Sequence, residues 1–481
     1  MKLIKAIELV VLTLVVSLGV ARAQSWQPLT NQPTFQASNA NLLTDGTVMV
    51  QRYFTNQWYR LTPDAFGSYV NGTWSQLASM AADYGPLYYA SAVLADGRLI
   101  VTGGEYNLTP TAVWTNKGAV YDPLADAWTV LTPPTGWTNI GDAQSTVLAD
   151  GRFMLANPFD KRIAILDPVS LTYTNLKPPK DDRNDEEGWT ILPDGSVLVI
   201  DVLARPRAQR YVPELNQWVA AGVLPVDLVD PGSQEIGPAV LRPDGTVFAT
   251  GATGHNAIYD TASGNWSAGP DFPLFSEGRY YDIADGPASL LPSGNVLCAA
   301  SPGIFLRPTH FWEFDGANLI QVPDTPHSSS ITSYEGRMLL LPTGQVLFSD
   351  GSPDVQIYTA AGTYDPSWAP TITSAPTDLQ PGLTYSIFGT QFNGLSEGAA
   401  YGDDAQSATN YPLVRITNQS SGHVFYARTH DHSRMGVASG AAIVSTSFDV
   451  PPNIELGDSD LVVVANGIPS DSVAVSISSG E

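Results

Sequence analysis

One short pattern returns seven times along the chain and constrains its fold more than any other feature. Each copy has two apolar stretches separated by a tight turn that contains glycine, as in VLADGRLIV from Val93 and LLPTGQVLF from Leu340. Glycine supplies the positive φ that a two-residue hairpin turn requires. The turn glycines follow one another at intervals of 44 to 54 residues, at Gly46, Gly97, Gly151, Gly195, Gly245, Gly294 and Gly344.

This period predicts the four-stranded blades of a propeller. After the hairpin, most units carry a third and a fourth strand joined by a short turn, as between Tyr121 and Trp128. A period of about 50 residues is typical of kelch propellers, in which two inner and two outer strands make one blade. The segment around Trp26 resembles the outer strand around Trp74. We therefore expect the N-terminal strand to complete the seventh blade beside Tyr358.

The repeat stops near residue 370, and the remaining chain reads as a second, smaller β domain. Its segments, such as LTYSIFG and LVVVANGIPSDSVAVSI, are short runs of strand-forming residues separated by turn residues. About 110 residues of this kind are typical of an immunoglobulin-like sandwich. The sequence thus predicts an all-β chain, with a seven-bladed kelch-type β-propeller over residues 24–369 and an immunoglobulin-like β-sandwich over residues 370–481.

The first 23 residues have the features of a cleavable signal peptide. Lys2 and Lys5 precede an apolar-rich run over residues 9–20, and Ala-Arg-Ala follows at residues 21–23. Twelve such residues are too few to span a bilayer. We expect a secreted or periplasmic protein that begins near Gln24 and does not insert into a membrane. Its single cysteine, Cys298, excludes an internal disulfide.

The charge balance limits the classes of partner. The chain has 23 basic and 47 acidic residues, a formal net charge of −24. Such a surface repels the phosphate backbone of nucleic acids and anionic lipid headgroups. Nucleic acid is therefore excluded as a partner, and glycans, cell-surface polymers and cations fit better.

The architecture resembles the galactose oxidase family of secreted copper-radical oxidases. In that family two tyrosines and two histidines hold copper, and one tyrosine is thioether-linked to a cysteine. The family motif Y-H-S-I-S-L-L-L-P-D-G corresponds to YEGRMLLLPTG, which keeps the axial tyrosine as Tyr334 and replaces the adjoining histidine by Glu335. The second histidine corresponds to His430 in RTHDHSRM, and His432 is a further ligand candidate.

The same resemblance implies that the radical site is degenerate. The positions of the cross-linked tyrosine and cysteine correspond approximately to Asp285 and Ile236, and Cys298 lies in another repeat. The usual thioether therefore cannot form at these positions.

Carboxylates stand just before several inner strands and predict an acidic ring around the propeller axis. Crowded carboxylates repel one another, so a cation or arginines should offset them. Calcium would suit the carboxylates, whereas copper would favour His430 with Glu335. Alternatively, Arg279, Arg337, Arg428 and Arg434 could pair with the ring and leave no metal. The ring consists of Asp142, Glu187, Glu235, Asp285 and Glu335.

The sequence is compatible with three functions. The first is a secreted, galactose-oxidase-like propeller without radical chemistry that binds carbohydrate or another extracellular ligand at the acidic face. The second is a copper-dependent oxidoreductase for alcohol or sugar groups, with a rearranged site of Tyr334, Glu335 and His430. The third is an adhesion or envelope scaffold without a site. Aromatic residues in the first two repeats suit sugar stacking, although ordinary blade packing is the preferred interpretation for most of them: Tyr53, Phe54, Tyr84, Tyr88, Tyr89 and Tyr106.

Overall fold

A computed structural model describes residues 24–177, 180–276 and 278–480, and within these ranges the protein is all-β. The predicted signal peptide, residues 1–23, lies outside the described residues. The helical segments that the structure describes are three short 3-10 turns, and none of them is long and apolar enough to cross a lipid bilayer. These turns are Ser328–Ser330, Ser333–Glu335 and Pro366–Trp368.

Seven antiparallel sheets form the propeller, with one blade for each turn glycine, as predicted. In each blade the four strands run in order from the axis outwards. Blade 1 consists of Ala37–Leu42, Val48–Arg52, Trp58–Thr62 and Thr73–Gln76. Blade 2 consists of Ala90–Val93, Leu99–Thr102, Gly118–Asp122 and Ala127–Val130. Blade 3 consists of Ser145–Val147, Phe153–Ala156, Ile163–Asp167 and Thr172–Asn175.

The remaining blades repeat this order. Blade 4 consists of Trp189–Ile191, Val197–Ile200, Arg207–Val212 and Gln217–Val223. Blade 5 consists of Ala239–Leu241, Thr246–Ala249, Ala257–Asp260 and Asn265–Ala268. Blade 6 consists of Ala288–Leu290, Val296–Ala300, His310–Phe314 and Leu319–Val322. Blade 7 consists of Arg337–Leu340, Val346–Ser349, Gln356–Thr359 and Ser25–Pro28.

The burial of the strands explains their composition. Every residue of Val197–Ile200 and of Val346–Ser349 is buried, because neighbouring blades cover both faces of an inner hairpin. Outer strands such as Thr73–Gln76 are mostly exposed. The inner hairpins therefore read as continuous apolar runs, and at their turns all seven glycines have φ between +75° and +86°.

The N-terminal strand closes the ring, as predicted. Ser25–Pro28 pairs with Gln356–Thr359, and Trp26 lies opposite Tyr358. The Trp26 indole donates to the carbonyl of Pro323 in blade 6 at 2.6 Å, and its ring lies 4.8 Å from that of Phe311. One tryptophan thus ties the last strand to two blades.

The C-terminal strands form one continuous sheet with a core of its own. Val424–His430 joins its two halves, since it pairs first with Leu413–Asn418 and then with Val444–Asp449. The immunoglobulin-like assignment and the domain limits stay predictions. The other strands of this sheet are Thr371–Ser374, Asp378–Leu379, Thr384–Thr390, Gly457–Ala465, Ile468–Pro469 and Val473–Ile477.

The C-terminal sheet packs on the end of the propeller that carries the hairpin turns, which we call the turn face. The Thr429 amide donates to the carbonyl of Thr44 in the blade 1 turn at 3.1 Å, and the His432 amide donates to that of Ala95 in the blade 2 turn at 3.0 Å. The opposite end, where the inner strands begin, is called the cavity face. Two short strand pairs lie outside the blades: Pro86–Leu87 with Tyr106–Asn107, and Leu274–Ser276 with Arg279–Tyr280.

A segment of the C-terminal region, residues 395–411, enters the centre of the ring and is called the axial loop. Its strand Ala399–Ala400 pairs with the inner strand of blade 6. Glu397 accepts from the Thr146 hydroxyl of blade 3 at 2.8 Å and from the Ile191 amide of blade 4 at 2.9 Å. On the return, the Ser407 hydroxyl donates to a carbonyl of blade 1. The axial loop thus connects the C-terminal sheet with the cavity face.

Candidate functional site: an acidic axial cavity

A cavity of about 520 Å³ opens at the cavity face and combines carboxylates with aromatic rings. A depression of about 670 Å³ at the turn face has neither carboxylates nor histidines among the described residues that line it. The carboxylate cluster of the axial cavity consists of Asp142, Glu186, Glu235, Asp285, Asp403 and Asp404, with Glu105 beside it. Its aromatic wall consists of Tyr53, Phe54, Tyr88, Tyr106, Phe305 and Tyr334.

The blades supply four of the six carboxylates, and three of the four have the same offset from their inner strands. Asp142, Glu186 and Asp285 each precede the first residue of an inner strand by three positions. Tyr334 has the same offset in blade 7, and Glu235 precedes its strand by four. Because the inner strands surround the axis, residues at this offset converge on the cavity.

The axial loop supplies the other two carboxylates, Asp403 and Asp404. Gly402 precedes them, and a Cβ atom at this position would lie 2.0 Å from Oδ1 of Asp285. A larger residue at this position would therefore require the loop or the Asp285 carboxylate to shift. The Tyr401 hydroxyl donates to the carbonyl of Tyr334 at 2.7 Å and ties the loop to blade 7.

The carboxylate cluster contains two groups of three side chains, called trios. Within each trio, carboxylate oxygen atoms lie within 4.8 Å of one another. One trio is Asp142, Glu186 and Asp403, and the other is Glu186, Glu235 and Asp285. Glu186 therefore belongs to both trios and lies at the centre of the carboxylate cluster.

Part of this cluster has no hydrogen-bond partner. Asp404 is 1% exposed, and neither of its carboxylate oxygens is bonded within the described chain. Oε2 of Glu235, which is 9% exposed, is also without a partner there. Buried polar groups in proteins are almost always paired, so these oxygens require an explanation.

Burial and mutual repulsion raise the pKa values of the whole cluster. Burial and the charge of Glu105 raise the pKa of Asp142 to about 7. Burial raises the pKa of Asp285 to about 7, although the Arg337 charge opposes this shift. Burial and neighbouring carboxylates also raise the pKa values of Glu186, Glu235, Asp403 and Asp404. The described surroundings of the cavity therefore favour the neutral forms of these six carboxyl groups.

The arginines proposed to neutralise the ring do not pair with it. Arg337 is the nearest, but its guanidinium donates to the carbonyls of Tyr334 and Gly336, at 2.6 and 2.7 Å, and lies over the Tyr401 ring. Arg428 pairs with Asp449 on the C-terminal sheet. Arg434 lines a surface depression together with Gly195, and Arg279 is exposed in a short strand. Arginine pairing therefore does not account for the cluster.

The structure places Glu187 elsewhere than the sequence predicted. Its carboxylate is fully buried beside Lys180, whose ammonium lies 2.5 Å away and also contacts Asp182 and Asp201 at 2.6 and 3.1 Å. Its neighbour Glu186, which has φ of +54°, lines the cavity instead. The predicted ring was thus one position out of register in blade 4.

Glu335 also lies outside the cavity lining. Its carboxylate accepts from the Thr332 amide at 2.8 Å and caps the turn Ser333–Glu335, and it approaches Arg307 at 3.5 Å. The charge beside Tyr334 therefore has a local structural role.

His430 and His432 do not approach Tyr334. His430 lies on the C-terminal sheet at the turn face, between Asp431 and Asp449, with ring-nitrogen distances of 2.8 and 3.1 Å. His432 is buried there against Thr446 and stacks on Tyr411. The C-terminal region does reach the cavity, but through Asp403 and Asp404.

The aromatic residues divide into a wall and a packing set. Tyr84 and Tyr89 are buried, and their hydroxyls donate to Gly103 and Gln51.

The backbone of the cavity lining is strained at several positions. Five of the fifteen lining residues have positive φ although they are not glycine, whereas only a few per cent of non-glycine residues in proteins have positive φ. Backbone strain of this kind concentrates at functional sites. The five are Phe54, Tyr88, Glu186, Asp285 and Phe305.

Sequence reasoning missed Glu186, Asp403 and Asp404. A strict three-residue offset, anchored on Asp142 and Asp285, would have selected Glu186. No local signal marks Asp403 and Asp404, because their role depends on the axial loop entering the ring.

Comparisons with known proteins agree with the fold. No protein-family profile matches the chain. The Kelch-like protein terF of Aspergillus terreus is 26% identical over 272 residues, which cover 48% of this chain and 54% of that protein, so the chain spans about half the length of this curated relative. A solved structure described as a novel fungal alcohol oxidase with catalytic diversity among the AA5 family, in complex with copper, has a TM-score of 0.52 at 15% identity and covers 95% of this chain and 100% of its own. These similarities confirm the expected kelch and galactose-oxidase-like architecture at the level of the fold.

Proposed function

We propose that this chain is an exported, non-radical propeller protein that binds a carbohydrate-class ligand in the axial cavity. The observation that carries the proposal is the combination of a carboxylate cluster with an aromatic wall in one cavity of about 520 Å³. This volume is within the range of small-molecule sites. Carboxylates accept hydrogen bonds from sugar hydroxyls, and the C–H faces of a sugar pack on aromatic rings. The signal-peptide features of residues 1–23 support export.

The aromatic wall has the geometry of a stacking surface. Phe305 is 42% exposed, and its ring lies 5.3 Å from that of Tyr334 in an edge-on arrangement. Tyr106 lies 6.0 Å from Tyr88 and 6.1 Å from Phe54. An exposed ring with little packing of its own is free to contact a ligand.

Copper, which the galactose oxidase fold implies, does not fit the residues present. The described residues that line the cavity include no histidine and no cysteine, and their side-chain donors are carboxylates and phenols. Copper sites use imidazole or sulfur ligands, whereas carboxylate oxygens suit harder cations. Ile236 and Asp285 are neighbours through a backbone hydrogen bond of 3.3 Å, and Cys298 is buried inside blade 6.

A glycan array followed by calorimetric titration of the bound sugar tests the proposal. We expect saturable binding to the purified chain and about two- to twelvefold weaker binding to Phe305→Ala, because an aromatic contact contributes about 0.5–1.5 kcal/mol. Phe66→Ala is a matched control, since Phe66 is 66% exposed and lines the turn-face depression. Absence of binding to all sugars, or equal affinity of both variants, would contradict the proposal.

A further inference from the structure

We propose that the carboxylate cluster binds a hard divalent cation of the calcium class, with Glu186 as the ligand shared by its two trios. The inference concerns the cation alone and does not depend on the carbohydrate ligand.

The donor set selects the class of cation. The six side chains of the cluster offer only carboxylate oxygens, and Glu186 lies within 4.8 Å of ligand atoms in both trios. Calcium accepts six to eight oxygen ligands in irregular geometry, whereas magnesium requires a near-octahedral arrangement and keeps several waters. Carboxylates that come from four blades and one loop suit the more tolerant ion.

Some carboxylate oxygens of the cluster have no hydrogen-bond partner, and this indicates a ligand separately from the number of acidic residues in the cluster. Asp404 is 1% exposed, and neither of its carboxylate oxygens has a hydrogen-bond partner in the described chain. Oε2 of Glu235 is also buried without a hydrogen-bond partner there. A buried carboxylate without a partner is strongly destabilising. A cation in the cavity would supply the missing partner for both residues.

A second acidic cluster in the same protein shows how the chain neutralises such a group by itself. Asp182, Glu187 and Asp201 also bring their oxygens together, and the buried ammonium of Lys180 lies among them. The axial cluster is larger, and no lysine lines its cavity within the described residues. The Arg337 charge opposes the rise that burial causes in the pKa values of Asp285 and Asp404, but its guanidinium donates to the carbonyls of Tyr334 and Gly336, so it does not take the part that Lys180 takes in the other cluster.

Calorimetric titration of the EDTA-treated chain with CaCl₂, in the absence of sugars, tests the inference. We expect saturable binding of one or two ions per chain and a higher melting temperature with Ca²⁺, because the ion binds the folded state. Asp404→Asn and Glu186→Gln should each weaken binding at least tenfold. Glu335→Gln is the control variant, because it removes one carboxylate charge beside the cavity and not within it. It should bind Ca²⁺ with the affinity of the unmodified chain.

The melting temperature in EDTA separates loss of the site from loss of the fold. Asp404→Asn removes an unpaired buried carboxylate, so this variant should melt at or above the temperature of the unmodified chain in EDTA. No saturable Ca²⁺ binding, or equal binding by all three variants, would overturn the inference. Glycan binding that persists without Ca²⁺ binding would overturn the cation site and leave the proposed function standing.

Discussion

At the residue scale, His432 illustrates how burial controls a titratable group. Its ring is 7% exposed, Nδ1 lies 2.9 Å from the Thr446 hydroxyl, and Nε2 has no partner within the described residues. Burial, together with the nearby His430, lowers the pKa of His432 to about 3. The folded protein therefore holds this imidazole neutral at pH values where the unfolded chain protonates it.

His432 should make the protein sensitive to mild acid. Between the unfolded pKa of about 6.5 and the folded pKa of about 3, the unfolded state binds more protons, so the free energy of unfolding falls as the pH falls. We expect His432→Asn to reduce the loss of stability between pH 7 and pH 5 by about 2 kcal/mol. Urea unfolding at both pH values measures this difference, and equal losses in the two proteins would contradict the burial argument.

Individual residues also show which part of the site could be predicted from the sequence and which part could not. Asp142, Glu235 and Asp285 line the cavity, and they could be selected because they precede recurrent strands. Glu187 and Glu335 could not be separated from true lining residues, since they directly follow Glu186 and Tyr334 in turns that do not have the regular side-chain alternation of a strand. Their actual partners, Lys180 and the Thr332 amide, become visible only in the folded chain.

At the scale of elements, the axial loop is the part that joins the C-terminal sheet to the cavity. Glu397 anchors it between blades 3 and 4, and Ala399–Ala400 extends the sheet of blade 6. The loop therefore reaches the cavity face through contacts with several blades. Its path depends on contacts between residues that are far apart in sequence, which is why no local pattern could have predicted Asp403 and Asp404.

Gly402→Ala tests the position of this loop. The new methyl group would lie 2.0 Å from Oδ1 of Asp285, so the loop or the carboxylate must move. We expect at least tenfold weaker Ca²⁺ binding by calorimetry, with the propeller still folded. Ala405→Gly is a control in the same loop: Ala405 has φ of +44°, which glycine adopts without strain, so Ca²⁺ affinity should be preserved. Unchanged binding by Gly402→Ala would mean that the loop lies elsewhere.

At the scale of the whole molecule, the propeller could be predicted almost completely and the site only in part. Seven turn glycines at a near-constant interval indicated seven blades, and the likeness of the segments around Trp26 and Trp74 indicated how the ring closes. Both signals are local and repeated. The C-terminal contribution was expected through His430, but the structure places His430 at the turn face and delivers Asp403 and Asp404 through the ring.

The most direct test of the account is to locate a bound ion in crystals grown with Tb³⁺, which occupies calcium sites and scatters anomalously. We predict an anomalous peak in the axial cavity, within coordination distance of Glu186 and of carboxylates from both the blades and the axial loop. We predict no peak at Lys180, whose ammonium already neutralises Asp182, Glu187 and Asp201. A cavity without a peak, or a peak only at other surface acids, would contradict the prediction.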